Sequence, residues 1–299
     1  MTALIKVNSV TKKFGSFKAL DEISMNVKKG SIYGLVGANG AGKTTIINHL
    51  TGALKPDSGE ITIDGKEVFE NADLKQKIIS IADDWYFYGS YNLKEMAAFY
   101  ENMYKSFNRE RYEKLGEKLI SDEKRQLRRL SKGMKKQAAF RLVLSCMPEV
   151  LILDEPLDGL DPVMRKQILN VIINDVAERE MTVLVSSHNL RELEDICDHV
   201  GIIHKGKMIM EKALYDLKGS VHKYQLAFDG DFPSALEEKI KVLHKSKLGS
   251  VYTLIVKGEA DDEIKAFAPT VFDKVSLTLE EVFIYELGGL GYEFTDILV

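Results

Sequence analysis

A glycine-rich loop between an apolar run and a helical run constrains the fold of this chain more than any other feature. The apolar run covers residues 32–36, and the helical run covers residues 46–50. The loop has the spacing G-x-x-x-x-G-K-T and comprises Gly37, Ala38, Asn39, Gly40, Ala41, Gly42, Lys43, Thr44 and Thr45. Small side chains let successive backbone N–H groups turn inward, and the helix N-terminus adds partial positive charge. The loop therefore predicts a phosphate cradle in an α/β fold.

Two side chains of the loop, and one aromatic ring before it, are candidates for nucleotide contacts. Lys43 is placed to reach the terminal phosphates, and the hydroxyl of Thr44 to take one position on Mg²⁺. Phe14 stands in a tip upstream of the loop, where a ring can stack on an adenine face. The alternative for Phe14 is a packing role.

Two acids follow a second apolar strand, at residues 150–153. Ligands of α/β sheets bind at the carboxyl ends of such strands. Beside a phosphate loop, Asp154 would hold Mg²⁺ and Glu155 would orient or deprotonate the attacking water. His188 follows the apolar run 182–185 and is a candidate sensor of the terminal phosphate, with a purely structural role as the alternative.

A basic run covers residues 124–136, and Ser131 within it is placed as the N-cap of a helix that ends at Cys146. Ser131 and Gly133 at this helix start form a second candidate anion site. The lysines of the run are otherwise expected to be a solvated face. Direct nucleic-acid binding is not expected, because the net charge is −4 and stacking aromatics are not interleaved with the lysines.

Composition indicates one large domain and a smaller one. The chain has 299 residues, of which 45% are hydrophobic and 29% charged, and no run approaches the roughly 20 apolar residues that span a bilayer. The two cysteines lack C-x-x-C spacing, which favours a reduced cytosolic protein with inert thiols. From about residue 212 the pattern changes, and residues 217–299 are expected to form a small α/β accessory domain for regulation, dimer contact or docking.

The order of these motifs resembles the ATP-binding subunit of ATP-binding-cassette (ABC) transporters. The resemblance covers residues 1 to about 215, and its motifs are Phe14, the phosphate loop, a signature segment at 130–134, Asp154 with Glu155, the turn 159–161 and His188. It implies a P-loop ATPase domain over residues 1–216, with a mixed sheet core, an antiparallel subdomain and a helical subdomain at about 85–147. The implied cofactors are ATP and Mg²⁺.

The resemblance also implies roles for individual residues. Lys43, Glu155 and His188 would be catalytic, and Asp83 would join Thr44 and Asp154 at the metal. The signature residues Ser131 and Gly133 of one subunit would contact the γ-phosphate held by the other, in a head-to-tail homo- or heterodimer. Asp161 of the turn is counted with the nucleotide-binding residues.

The sequence departs from the family pattern in three places. Lys132 and Met134 stand where the commonest signature has glycine and glutamine. Asp83 takes the place of a glutamine that usually ligates Mg²⁺ or water. Leu157 and Asp158 replace small hydroxyl residues, which is expected to alter contacts across the dimer.

By resemblance, the transmembrane subunits of the transporter would dock between Asp83 and Tyr91, where the sequence carries its only tryptophan. The chain would then lie in the cytoplasm, peripheral on the inner face of the membrane, and power export of peptides, drugs or other substrates. One alternative is an ABC ATPase that works on nucleic acid or ribosomes, although the chain has one phosphate loop and no heptad run. The other is a nucleotide-binding regulator that does not hydrolyse ATP.

Overall fold

The computed structural model describes residues 3–83 and 87–288, which divide into two compact units. The first unit ends at Glu211 and the second begins at Lys212. The boundary between residues 216 and 217 that the sequence suggests for the functional domains stays a prediction. Asp84, Trp85 and Tyr86, which belong to the expected docking segment, lie outside the described residues.

The first unit combines a sheet core with a group of helices. Its strands are β1 (Ala3–Phe14), β2 (Phe17–Lys28), β3 (Ile32–Val36), β4 (Ser58–Ile63), β5 (Lys66–Glu67), β6 (Ile78–Ile81), β7 (Val150–Asp154), β8 (Thr182–Ser187), β9 (His199–His204) and β10 (Lys207–Ala213). Its helices are α1 (Lys43–Leu50), α2 (Ala72–Lys75), α3 (Leu93–Met103), α4 (Arg109–Gly116), α5 (Lys132–Ser145), α6 (Pro162–Arg179) and α7 (Leu190–Glu194).

The strands form two sheets, which confirms the predicted mixed-sheet core and antiparallel subdomain. One sheet has the order β2-β1-β4-β5, and its strand pairs are antiparallel. The other has the order β10-β9-β3-β8-β7-β6, with β9, β3, β8, β7 and β6 paired in parallel. Every residue of β3, β7 and β8 is buried, as expected for parallel strands covered on both faces.

Helix α1 packs in the main core of this unit. One cluster of buried side chains contains Met25 of β2, Ile46 and Leu50 of α1, and Ile152 of β7. Burying such aliphatic side chains contributes about 1.5–3 kcal/mol each, so the helix behind the phosphate loop is held by both sheets. This packing fixes where the loop can lie.

The helical part of the unit is organised by capped helices. Ser131 is the N-cap of α5 and its hydroxyl accepts from the N–H of Met134, as the sequence predicts. Asn92 and Glu95 form a capping box at the start of α3. The Tyr88 ring lies against Phe99 of α3, with centroids 5.5 Å apart.

The second unit is a small α/β domain. Its elements are α8 (Leu214–Lys218), β11 (Val221–Ala227), α9 (Ser234–Lys239), β12 (Lys241–Leu248), β13 (Val251–Lys257), α10 (Asp261–Lys265), β14 (Val271–Val275) and α11 (Leu279–Gly288). The strands pair antiparallel in the order β12-β13-β11-β14. Tyr224 and Leu254 from the sheet pack with Leu236 and Ile264 from α9 and α10.

The sequence pattern of this unit predicts strands at 224–228, 241–244 and 251–256 and helices at about 235–240 and 261–267, which correspond to β11, β12, β13, α9 and α10. It does not predict α8, β14 or α11. Strand β14 is an edge strand with no fully buried residue, so its periodicity is weak. Helix α11 had a usable signal, because Thr278 and Glu281 form a reciprocal cap in which each backbone N–H donates to the other side chain.

Within residues 3–83 and 87–288, no helix combines the length and the apolar character that crossing a bilayer requires.

The two thiols are expected to be unreactive in the folded chain. Burial raises the pKa of Cys146 to about 12 and also raises the pKa of Cys197, so little thiolate exists at neutral pH.

We expect iodoacetamide at pH 8 to leave both cysteines unmodified in the native chain and to alkylate both in guanidinium, as read by mass spectrometry. Rapid native labelling of either cysteine would contradict their burial.

Candidate nucleotide site

The glycine-rich loop is shaped by close backbone approach. A Cβ on Gly37 would lie 2.3 Å from the carbonyl oxygen of Ile203 in β9, so only glycine fits. Gly42 has φ of 115°, a conformation that side chains rarely adopt, and it is the N-cap of α1. The sequence folds the loop tightly between β3 and α1 because these glycines remove the steric barriers.

The loop opens onto a cavity that most of the predicted nucleotide contacts share. The cavity is lined by Phe14, Phe17, Ala19, Ala38, Asn39, Gly40, Gly42, Lys43, Thr44, Thr45, Asp83, Asp154 and Glu155. Gly37 and Ala41 are buried and support the loop from behind. The structure thus brings three separate stretches of the chain, residues 14–19, 38–45 and 154–155, together with Asp83.

The aromatic side of the cavity carries two rings. Phe14 and Phe17 pair across the tip of the β1–β2 hairpin and are 51% and 64% exposed. Such exposure disfavours the packing role for Phe14. No nucleotide contact is predicted for Phe17 from the sequence, although its position three residues after Phe14 at a hairpin turn indicates one.

Lys43 lies in the interior of the site. It is 5% exposed, and its Nζ donates to the carbonyl oxygen of Gly37 at 2.6 Å. The same Nζ is 3.2 Å from Oε1 of Glu155, an ion pair between the loop and the end of β7. The ammonium is therefore held among the loop carbonyls and the acid, at the wall of the cavity.

Asp154 is a buried carboxylate with donors from two other elements. Thr44 Oγ1 donates to its Oδ2 at 2.8 Å, and Ser186 of β8 donates to its Oδ1. No role is predicted for Ser186 from the sequence. Its hydroxyl also accepts from the backbone N–H of Glu155 at 3.2 Å.

Glu155 is held in an uncommon backbone conformation. Its φ is 45°, in the left-handed region that non-glycine residues seldom adopt. His188 Nδ1 donates to Oε2 of Glu155 at 2.9 Å, since a carboxylate can only accept. The acid, the histidine and Lys43 thus lie in one connected group, as the candidate catalytic residues would require.

The oxygen ligands at the cavity fit a magnesium ion. Thr44 supplies a hydroxyl, and Asp154 and Asp83 supply carboxylates, and all three line the same cavity. Hard oxygen donors of this kind are what Mg²⁺ prefers, together with phosphate and water oxygens.

The basic run contains one buried lysine, contrary to the expectation that its lysines form a solvated face. Lys136 is 3% exposed, because it lies on the buried face of α5 with Phe140 and Val143. Its Nζ donates to the carbonyl oxygen of Glu155 at 2.7 Å and lies 3.6 Å from Asp83 Oδ1. Burial lowers the pKa of Lys136, while the Asp83 carboxylate acts in the opposite direction.

Six predicted site residues are not among the residues that line this cavity: Gly37 and Ala41 of the loop, His188, and the three residues Ser131, Gly133 and Asp161. Ser131 and Gly133 are at the start of α5, where a Cβ on Gly133 would lie 2.9 Å from the carbonyl oxygen of Gly159. Asp161 is the N-cap of α6 and accepts from the N–H groups of Val163 and Met164. The nucleotide contacts of all three stay predictions, and those of Ser131 and Gly133 are expected with the nucleotide of a second subunit.

Asp158, one of the departures from the family pattern, lies near the candidate catalytic pair. Ligand atoms of Glu155, Asp158 and His188 are all within 4.8 Å of one another. The side chain expected to alter contacts across a dimer thus also adds negative charge beside Glu155 of its own chain.

The role of Ser186 gives a stability prediction. Ser186→Ala removes the donor to a buried carboxylate and the acceptor of the Glu155 N–H, and one hydrogen bond to a charged group contributes about 1.5–3 kcal/mol. We expect the urea midpoint of the first unit, followed by circular dichroism, to fall accordingly. Ser80→Ala in the adjacent part of the sheet is the control, and equal midpoints for the two variants would contradict the role.

Comparison with known proteins agrees with this geometry. A family described as ABC transporter matches residues 20–158. The ABC transporter ATP-binding protein YtrB of Bacillus subtilis (strain 168) is 33% identical over 96% of this chain and 99% of its own length. The bacitracin transport ATP-binding protein BcrA of Bacillus licheniformis is 34% identical over 97% and 99%, respectively. A solved ATP-binding subunit of an ABC transporter has a TM-score of 0.67 and 26% identity, over 72% of this chain and 92% of its own. The chain therefore belongs to the ABC transporter ATPases and is the ATP-binding subunit of such a transporter.

Proposed function

We propose that this chain hydrolyses MgATP in a head-to-tail dimer and thereby powers export through separate transmembrane subunits. The observation that carries the proposal is a connected group at the phosphate loop: Lys43 and His188 both contact the carboxylate of Glu155, and Ser186 links Glu155 to Asp154. Lys43, Asp154 and Glu155 line the cavity, and His188 contacts the group from the end of β8. Such a group is what ATP hydrolysis needs at a terminal phosphate.

Binding of the nucleotide would use the loop and the hairpin. Backbone N–H groups of the loop would bind phosphate oxygens, Lys43 would contact the terminal phosphates, and the ring of Phe14 would stack on the adenine. Thr44, Asp154 and Asp83 would hold Mg²⁺, whose charge offsets that of the phosphates.

Hydrolysis would depend on Glu155 as the base that orients and deprotonates water. The hydrogen bond from His188 fixes the carboxylate of Glu155. The hydroxyl of Ser186, which accepts from the N–H of Glu155, fixes its backbone. His188 itself is 44% exposed at the side chain, so a phosphate group can approach its ring. A base held in place in this way reduces the reorganisation needed during the reaction.

Closure of the dimer would bring the start of α5 onto the nucleotide of the other subunit. Ser131 is exposed and begins a helix of 14 residues, whose N-terminus attracts anions. Because one chain carries the full set of motifs, a homodimer is possible, and a heterodimer is the alternative. Loss of the γ-phosphate would remove the contacts across the interface and open the dimer.

The proposal is tested by ATPase activity and by size in the presence of MgATP. Glu155→Gln should lower the turnover by about 100-fold or more, because the base is lost. The variant should form an ATP-dependent dimer in size-exclusion chromatography, because bound ATP is not cleaved. Lys43→Ala should lose both activities.

Glu149→Gln is the matched control, since this acid makes a surface ion pair with Lys77. We expect its turnover to equal that of the wild type. Wild-type turnover in Glu155→Gln would rule out Glu155 as the base. A wild-type chain with neither hydrolysis nor ATP-dependent dimerisation would contradict the proposed function and favour a nucleotide-binding regulator.

We place the docking surface for the transmembrane subunits at residues 83–91, and the chain accordingly on the inner face of the membrane. Support comes from Tyr88 and Tyr91, which are 53% and 38% exposed with ring centroids 5.4 Å apart. Exposed tyrosines that lie together are typical anchors of protein interfaces. The peptide class of cargo rests on the bacitracin-transport relative.

Tyr88→Ala should weaken assembly with the transmembrane subunits about tenfold, a typical cost of losing an anchor ring. The measurement is the affinity of the purified chain for those subunits in detergent. Tyr215→Ala, which removes a tyrosine that is 88% exposed in the second unit, is the control. Equal affinities of the two variants would move the docking surface elsewhere.

A further inference from the structure

Lys136 makes contacts with two parts of the nucleotide site that the sequence does not connect. Its ammonium donates to the main-chain carbonyl of Glu155 at 2.7 Å, and it faces Asp83 at 3.6 Å. Glu155 follows β7 and Asp83 follows β6, while Lys136 belongs to α5. Helix α5 begins within the signature segment 130–134 and is called the signature helix below. One buried side chain thus connects this helix to the ends of two strands.

The hydrogen bond from Lys136 to the carbonyl oxygen of Glu155 holds a residue whose backbone is strained. The backbone of Glu155 has φ of 45°, a strained conformation that persists only where neighbouring contacts hold it. Ser186 holds its N–H and Lys136 holds its carbonyl oxygen. These two hydrogen bonds fix the peptide units before and after Glu155. The direction of the Glu155 side chain depends on those peptide units.

The contact between Lys136 and Asp83 offsets the negative charge of the Asp83 carboxylate. Asp83, Asp154 and Glu155 all line the cavity, and a nucleotide adds further negative charge there. Lys136 is buried, whereas Lys132, which lies 3.9 Å from the same Asp83 oxygen, is 62% exposed at its side chain. A buried cation is screened less by water and salt, so Lys136 provides most of the local compensation for Asp83.

We propose that Lys136 is a positioning residue for hydrolysis, which holds the main chain of Glu155 and the carboxylate of Asp83 in place at the nucleotide cavity. The proposal rests on the proposed function, because it assigns Lys136 to the same ATPase reaction. It requires no contact between Lys136 and the nucleotide. Its effect should therefore appear in the rate of hydrolysis rather than in nucleotide affinity.

The test is the steady-state ATPase of Lys136→Met, which keeps the length of the side chain and removes the charge and the donor. We expect kcat to fall at least tenfold and KM for ATP to stay within twofold. Lys136→Gln keeps a donor for the Glu155 carbonyl and should recover part of kcat.

Lys135→Met is the matched control one position earlier on α5, and its kcat should stay within twofold of wild type. A wild-type kcat in Lys136→Met, or a raised KM with unchanged kcat, would overturn the proposal. If Lys136→Met fails to fold by circular dichroism, Lys136→Gln decides: a kcat below that of the wild type with KM within twofold supports the proposal, and a wild-type kcat or a raised KM with unchanged kcat overturns it. Absence of hydrolysis by the wild type would instead overturn the proposed function.

Discussion

The hydrogen bonds of the Asp154 carboxylate are the interaction on which the rest of the site depends. A carboxylate that is 4% exposed is costly unless its oxygens are paired, and here the donors come from α1 and β8. The helix behind the phosphate loop and two strands of the parallel sheet must therefore keep their relative positions. The requirement of one buried charge thus sets the geometry of the cavity edge.

The position of Glu155, one residue after Asp154, depends on the same arrangement of α1, β7 and β8. The chain leaves β7 in a left-handed turn, which separates the direction of this acid from that of Asp154. Four polar residues contact Glu155 and hold it in this conformation: Ser186, His188, Lys43 and Lys136. Because these groups come from different elements, loosening any one of them disturbs the base without destroying the phosphate loop.

The sequence could predict the parts of the site whose cause is local. The phosphate loop depends on its own glycines, and Ser131 caps the helix that begins at the next residue. Ser186 and Lys136 could not be assigned roles, because their partners lie 32 and 19 positions away in the chain. A lysine in a basic run is usually solvated, and only packing of α5 against the sheet shows which one is buried. Edge strand β14 was missed because none of its residues is fully buried, so its sequence shows little alternation of apolar and polar residues.

Two of the departures from the family pattern, Asp83 and Lys132, lie close together in space. Asp83 replaces a neutral amide with a charge, and the structure places Lys132 and Lys136 of the signature helix beside it. An amide can interact through hydrogen bonds alone, whereas a carboxylate between two ammonium groups interacts at longer range and responds to every charge that enters the cavity. The carboxylate is 46% exposed, so salt weakens its attraction to Lys132 more than its attraction to buried Lys136. In this chain the end of β6 and the signature helix are therefore linked by charge, and that link persists at high salt through the buried lysine.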